Sequence, residues 1–353
     1  MSSPTPPKLS IHPPLLNTAC AWATDAEHLR ALLLCPSTGA VTTRTSLLGG
    51  FDHRPDQHRY LFFDPATSRP HPGTSSGPPE LPPPEPTITS TSTSTSTSTS
   101  TSTSVASFNT LGYSPSPSKT TSPSSPPSPN PNIAQSYTTI ISASSSLPFP
   151  LAMEINLSCP NIKSSPPPAY SASSLATYLD ALPSRPSIPI GIKIPPYTYS
   201  AQFDALVSAL LSTNNTNTNT NTQTPAPASK LSFVTSTNTL GSCLLLDPTT
   251  QPLDIALPGG LGGMAGPPLH PLSLGNVSTL RKLFDADSLL SHLDIIGVGG
   301  VSDAEGYKRM RHVGASAVGI ATALGRHGVA VFESIERDLN SSWSSPSQEA
   351  AKL

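Results

Sequence analysis

Short β-branched or apolar runs recur along this chain with amphipathic helical patterns between them, and few folds tolerate that alternation. The runs are 14–19, 39–45, 138–143, 152–158, 188–194, 231–238, 293–298 and 316–321. The helical patterns are 24–34, 171–182, 200–212, 272–284, 303–313 and 327–339. Within them Leu29, Leu32 and Leu33 share one face, as do Phe203, Leu206 and Leu210. Eight strands alternating with helices predict an α/β fold, a closed (β/α)8 TIM barrel rather than an open sheet. One link breaks the pattern. Only SSSLPFPL separates 138–143 from 152–158, and a parallel crossover needs about a dozen residues or more. Either helix 3 is missing and the barrel is bare there, or the third strand is misplaced.

Two tracts cannot contribute to such a core. The first runs over 68–132 and contains alternating Thr-Ser at 89–104; the second, 214–229, is an Asn-Thr run with a Pro-Ala continuation. With no apolar face to offset the entropy of ordering, both read as disordered Ser/Thr/Pro-rich insertions. Within the first, 105–115 (VASFNTLGYSP) is an island of ordinary sequence. Without these tracts roughly 250 residues remain, the usual size of one barrel. The expected organisation is a flexible N-terminus over 1–11, a single barrel domain over 12–339 interrupted by the two insertions, and a tail over 340–353.

A formal net charge of -2 offers no electrostatic reason to expect nucleic acid or an anionic membrane as partner. No apolar run reaches the 18 or so residues of a membrane-spanning helix. Prolines interrupt the N-terminus where a signal peptide needs an apolar segment. Cys20, Cys35, Cys159 and Cys243 lie far apart with no CxxC, so neither a disulfide framework nor a metal site is indicated. An intracellular, reduced chain is the expectation.

In a barrel of this kind the chemistry sits at the C-terminal strand ends and the loops after them. Those ends hold Asn156, Cys159 and Asn161; Lys193; Thr237, Asn238 and Thr239; Gly299 and Gly300; and Ala321 and Thr322. The Gly-Gly turn and the small-residue turn after the last two strands can cradle a phosphate, although glycine turns also serve packing. Lys193 lies in the apolar run IGIKIP. A strand lysine can simply reach solvent. Inside a barrel it must instead meet an anionic ligand or suffer a desolvation penalty. Together with three asparagines it suits a planar polar ligand with several hydrogen-bonding edges.

EINLSCPN, GIKIPPY, TNTLG, GGLGG, IIGVGGV and GASAVGIATAL, in this order, resemble the class 1 dihydroorotate dehydrogenases, most closely the fumarate-using 1A branch. The resemblance covers 12–64, 105–115 and 137–339. It implies an FMN-binding barrel, a cytoplasmic homodimer, and oxidation of dihydroorotate to orotate in pyrimidine (UMP) biosynthesis with fumarate as acceptor. By that resemblance Cys159 is the catalytic base and Lys193 the cation beside the flavin. The substrate positions are Asn109, Thr110, Leu111, Gly112, Tyr113, Asn156, Asn161, Asn238 and Thr239. The FMN positions are Ala19, Thr43, Arg44, Asn156, Lys193, Thr237, Gly263, Gly299, Gly300, Ala321 and Thr322. Where the family has a lysine at the end of the second strand, this chain has Thr43 with Arg44 beside it. Adjacent strand residues face opposite sides, so Arg44 can supply the charge only by pointing inward. Cys20 stands where glycine is usual, and Ala321 replaces another glycine. Two other readings compete: a related flavoprotein with an altered substrate or lost activity, and a non-enzymatic interaction protein whose tracts are its function.

Overall fold

The computed structural model describes residues 6–71, 104–114, 129–161, 166–212 and 226–340. The Thr-Ser tract, the Asn-Thr run and the tail from 341 lie outside the described residues, but the ends of the two expected insertions are ordered: 129–132 open a helix, and Pro227 and Ala228 are buried in a short helical turn. In chain order the first elements are β1 (Leu15–Asn17), α1 (Ala26–Leu34), β2 (Tyr60–Phe63), β3 (Ala106–Asn109), α2 (Pro129–Ser144) and β4 (Met153–Asn156). Next come α3 (Ala172–Asp180), β5 (Ile190–Ile194), α4 (Ser200–Leu211), β6 (Phe233–Ser236), β7 (Leu240–Leu244), β8 (Leu246–Asp247), β9 (Asp254–Ile255) and β10 (Leu261–Ala265). The chain closes with α5 (His270–Asp285), β11 (Asp294–Val298), α6 (Ala304–His312), β12 (Ala317–Ile320), α7 (Thr322–His327) and α8 (Ala330–Asp338). The last helical pattern, expected over 327–339, is α8, and α7 is a further short helix just ahead of it. Gly328, at φ 64°, ends α7 in a conformation that suits glycine.

Six strands form one parallel sheet in the order β1-β12-β11-β6-β5-β4. Period two sorts their side chains. Leu15, Met153, Ile190, Ile192, Ile194, Val234, Ile295, Val318 and Ile320 face the helices and join one buried cluster with Leu175, Leu206, Leu280 and Phe332. The opposite face forms a small separate cluster of Leu16, Phe233, Ile296, Val298 and Ala317. Gly191 makes room there, since a Cβ on it would lie 2.3 Å from the Phe233 ring. Leu9 and Ile11 pack against the same cluster, and Ser232 Oγ donates to the Pro7 carbonyl at 2.7 Å. Residues 6–11, expected as part of a flexible N-terminus, are therefore packed on that face of the sheet.

The expected closed barrel is interrupted. Run 39–45 forms no named strand and meets the sheet through one parallel bridge, Leu16 to Ala40. Its remaining contact with β1 passes through a side chain. Asn17, fully buried, donates to the Thr42 carbonyl at 2.6 Å and accepts from the Thr42 N–H at 2.9 Å. That amide takes the place of a ladder rung. Run 138–143, expected as the third strand, is helix instead. Ile133, Tyr137, Ile140 and Ile141, at helical spacing, pack on the outer cluster, and this burial overrides the β propensity of TTII. The short link thus joins a helix to a strand. Among the described residues no strand pairs with the outer edge of β4, so the wall is open between run 39–45 and β4.

A second, antiparallel sheet in the order β2-β3-β10-β7 carries its own cluster of Leu61, Phe63, Ala106, Phe108, Leu245 and Leu257. None of its strands was expected from the sequence. It brings the 105–115 island beside the loops that follow β4 and β6.

Candidate active site

The loops at the C-terminal strand ends enclose an open cleft of about 120 Å³, smaller than the rough 300–1,000 Å³ of typical small-molecule sites. Of the residues expected at the site, Ala19, Arg44, Asn109, Leu111, Gly112, Tyr113, Asn156, Cys159, Asn161, Asn238, Thr239, Ala321 and Thr322 line it. They come from six separate segments, which only the fold brings together.

Carboxamides dominate the lining and bond to one another. Asn156 Oδ1 accepts from Ser158 Oγ at 2.8 Å and from Asn238 Nδ2 at 3.3 Å, while Asn156 Nδ2 donates to Thr45 Oγ1 at 2.9 Å. Asn238 Nδ2 also donates to Ser158 Oγ at 2.8 Å. Asn161 Nδ2 reaches Asn109 Oδ1 at 3.0 Å and the Leu111 carbonyl at 2.8 Å, tying the island to the loop after β4. Phe51 backs the island, since a Cβ on Gly112 would lie 2.3 Å from its ring.

Cys159 sits among these groups with two cations in range. Burial pushes its thiol up; the Asn161 N–H, Lys193 and Arg44 push it back down. Cys20 faces the same cations, and burial still raises it to about 11. Lys193 is 2% exposed and donates to Thr18 Oγ1 at 2.7 Å; burial pulls its pKa down. Arg44 is 7% exposed, is also pulled down by burial, and donates from Nη2 to the Gly112 carbonyl at 2.9 Å. Burial and the nearby Cys159 hold the Tyr113 hydroxyl well above its usual range.

Several expected positions fall elsewhere. Thr43 is exposed, because alternation along the segment turns Arg44 inward in its place. Thr110 turns away from the cleft and donates to the Gln57 carbonyl at 2.6 Å. Lys193 and Thr237 lie below the lining, Thr237 Oγ1 standing 3.1 Å from Ser273 Oγ. Gly263 packs between the loops, where a Cβ would stand 2.2 Å from Thr239 Oγ1. Gly299 and Gly300 form the turn after β11 with φ of 138° and 69°. A Cβ at Gly299 would lie 1.9 Å from Ser273 Oγ. The Gly299 carbonyl is 2.7 Å from His270 Nδ1, while Arg309 Nε donates to His270 Nε2 at 3.1 Å. With Nε2 accepting, the ring proton sits on Nδ1 and is donated to Gly299.

Sequence reasoning missed Cys20, Trp22, Thr45, Tyr60, Ser107 and Ala265 as lining residues. Cys20, Trp22 and Thr45 lie within a few residues of strand ends, a signal that position along a barrel strand carries. Tyr60, Ser107 and Ala265 belong to the second sheet and had no such signal. Trp22 stacks on Phe62 with centroids 5.6 Å apart, and its Nε1 is buried without a partner among the described residues.

The family model of dihydroorotate dehydrogenase matches residues 132–342. A dihydroorotate dehydrogenase (fumarate) of Trypanosoma cruzi is 31% identical over 187 residues, 53% of this chain and 53% of that protein. A dihydroorotate dehydrogenase A (fumarate) of Lactococcus lactis is 30% identical over 186 residues, again 53% of each. The chain thus spans about half the length of the curated relatives it matches. A ligand-free DHODH crystal structure from Eimeria tenella superposes with a TM-score of 0.58 at 15% identity, covering 92% of this chain and 83% of that one. At that identity the likeness is one of fold.

Proposed function

The chain belongs to the dihydroorotate dehydrogenase family, and on that premise we propose that it is an FMN-dependent oxidoreductase converting dihydroorotate to orotate, with fumarate as acceptor. The observation that carries this reading is the Cys159 thiol, in range of Lys193 and Arg44 and flanked by asparagines in a cleft that four asparagines line. The donor set suits a flavin mononucleotide: two fixed cations, several carboxamides, and an indole N–H buried without a partner among the described residues. Arg44, Ala19, Asn156 and the turn at Ala321–Thr322, which line the cleft, would hold it, with Lys193, Thr237, Gly263 and the Gly299–Gly300 turn supporting from beyond the lining. Bound there, FMN supplies the two-electron acceptor for the hydride leaving C6 of the substrate.

Cys159 takes the C5 proton. Burial opposes the thiolate that this needs and keeps the thiol above its ordinary value, and the Asn161 N–H and the two cations offset part of that. Asn109, Asn156, Asn161 and Asn238 hold the hydrogen-bonding edges of the substrate ring, exchanging their mutual hydrogen bonds for bonds to it. Arg44 meets its carboxylate. The alternative of lost activity drew its support from Thr43, and Arg44, buried and facing the cleft, weakens that argument.

Two further parts of the reading rest on the same family. The site is cytoplasmic, and no helix among the described residues is long and apolar enough to cross a membrane. The working form is a homodimer. The paired residues Leu244–Leu261 and Leu246–Ile255 expose an apolar ribbon that suits a second copy, and sedimentation reads the oligomeric state. The catalytic test is an absorption spectrum of the purified protein. A flavin band that bleaches with dihydroorotate in the absence of oxygen and returns with fumarate is expected. A folded protein that carries no FMN and takes up none would end the proposal.

A further inference from the structure

Glu154 plays no part in the mechanism above, yet it lies on the barrel's inner face. Along β4, Met153 and Ile155 pack toward the helices, which turns Glu154 and Asn156 inward. The register pairs Asn156 with Lys193 and Lys193 with Thr235. These three stand at one level on neighbouring strands, with Glu154 one inward step below. Thr235 Oγ1 donates to Glu154 Oε2 at 2.5 Å, drawing the carboxylate across β5 toward β6. Lys193 stands between them, its ammonium bonded to the neutral hydroxyl of Thr18. A cation that deep is costly without an opposing charge.

We propose that Glu154 is the positioning countercharge of Lys193: aimed by Thr235, it holds the lysine as a cation at the floor of the flavin site. The role toward FMN rests on the function proposed above; the charge pairing does not. Burial pulls the lysine's pKa down, and Glu154 is the strongest influence opposing it, ahead of Cys20 and Cys159. These are the titratable groups facing the lysine, from β4, from the loop after β1 and from the loop after β4. Arg44 is coupled to both thiols, and β6 presents the neutral Thr235. Glu154 is half-buried, so water moderates the pairing without removing it.

The test is the titration of Lys193 in the full, cofactor-free chain with ¹³C-labelled lysine, its signal identified by loss in Lys193→Gln. Glu154→Gln should lower the midpoint by roughly one pH unit, about tenfold in the deprotonation equilibrium. Thr235→Val, which keeps both charges but releases the carboxylate, should lower it by less. A midpoint unchanged in both variants overturns the pairing. If Glu154→Gln does not fold, the sign of the Thr235→Val shift decides alone. FMN affinity is read separately against pH. Glu154→Gln should lose affinity at lower pH than the wild type, because the lysine loses its charge earlier. A shifted lysine whose FMN affinity keeps the wild-type pH profile overturns the cofactor role. A wild type that binds no FMN while the midpoint still shifts ends the flavin reading and leaves the pairing standing.

Discussion

From Met153 onward the chain supplies five of the six parallel strands, and the family match lies almost wholly there. Before Met153 only β1 joins that sheet; run 39–45 is tied by one bridge and one asparagine, and the third strand is absent among the described residues. The cleft draws on both regions. The regular part contributes Cys159, Asn156, Asn161 and Asn238; the irregular part contributes Arg44, Asn109, Tyr113, Cys20 and Trp22. A scaffold can lose a wall strand and keep its site, because the loops that carry chemistry are anchored by side-chain bonds as well as by the ladder.

The largest test of that contrast falls on the regular side. Cys159→Ala should lower turnover with dihydroorotate by about 10²–10⁴-fold while the flavin spectrum stays; steady-state kinetics beside an absorption scan read both. The matching test on the irregular side is Arg44→Met, which should cost on the order of 10²-fold in kcat/KM. Thr43→Ala, at an exposed position, should stay within about twofold. Equal effects at 43 and 44 would break the assignment of the inward cation.

The thiol sharpens the same comparison through pH. With the Cys159 pKa raised above its ordinary 9.0, its alkylation by iodoacetamide should speed up with pH and reach half-maximum above that value. Removing the cation in Arg44→Met should move the midpoint further up, since the thiolate loses a stabilising charge. A shift downward would contradict the electrostatic link between the two regions.

Stability separates the regions on a smaller scale. Leu206→Ala, fully buried between α4 and the sheet, should cost about 2–5 kcal/mol. Thr45→Ala, which removes the hydrogen bond spanning the open wall, should cost about 0.5–1.5 kcal/mol. Denaturant melts of both variants measure the difference. A loss at Thr45 as large as that at Leu206 would show the wall to be held chiefly by that bond.

Much of the regular part was legible beforehand. The runs at 188–194, 231–238, 293–298 and 316–321 enclose β5, β6, β11 and β12, because strands covered on one side by helices and on the other by a barrel interior need apolar residues at almost every position. Run 138–143 misled because β-branched residues fit a helix face when that face is buried. The second sheet was illegible because its four strands come from segments far apart in the chain, and only their mutual pairing makes them strands. Thr43 and Arg44 could not be separated from the run alone, since alternation gives the period but not the phase.

Residue type and order along the chain determined the candidates for chemistry: a cysteine flanked by asparagines, a lysine in an apolar run, and glycine turns after the last two strands. Tertiary structure decided which of them share a cleft, that Arg44 rather than Thr43 faces it, and that the Glu154 carboxylate lies on the strand next to Lys193. The physical reason is that local propensity acts over a few residues, whereas burial and charge pairing depend on segments that meet only when the sheet is assembled.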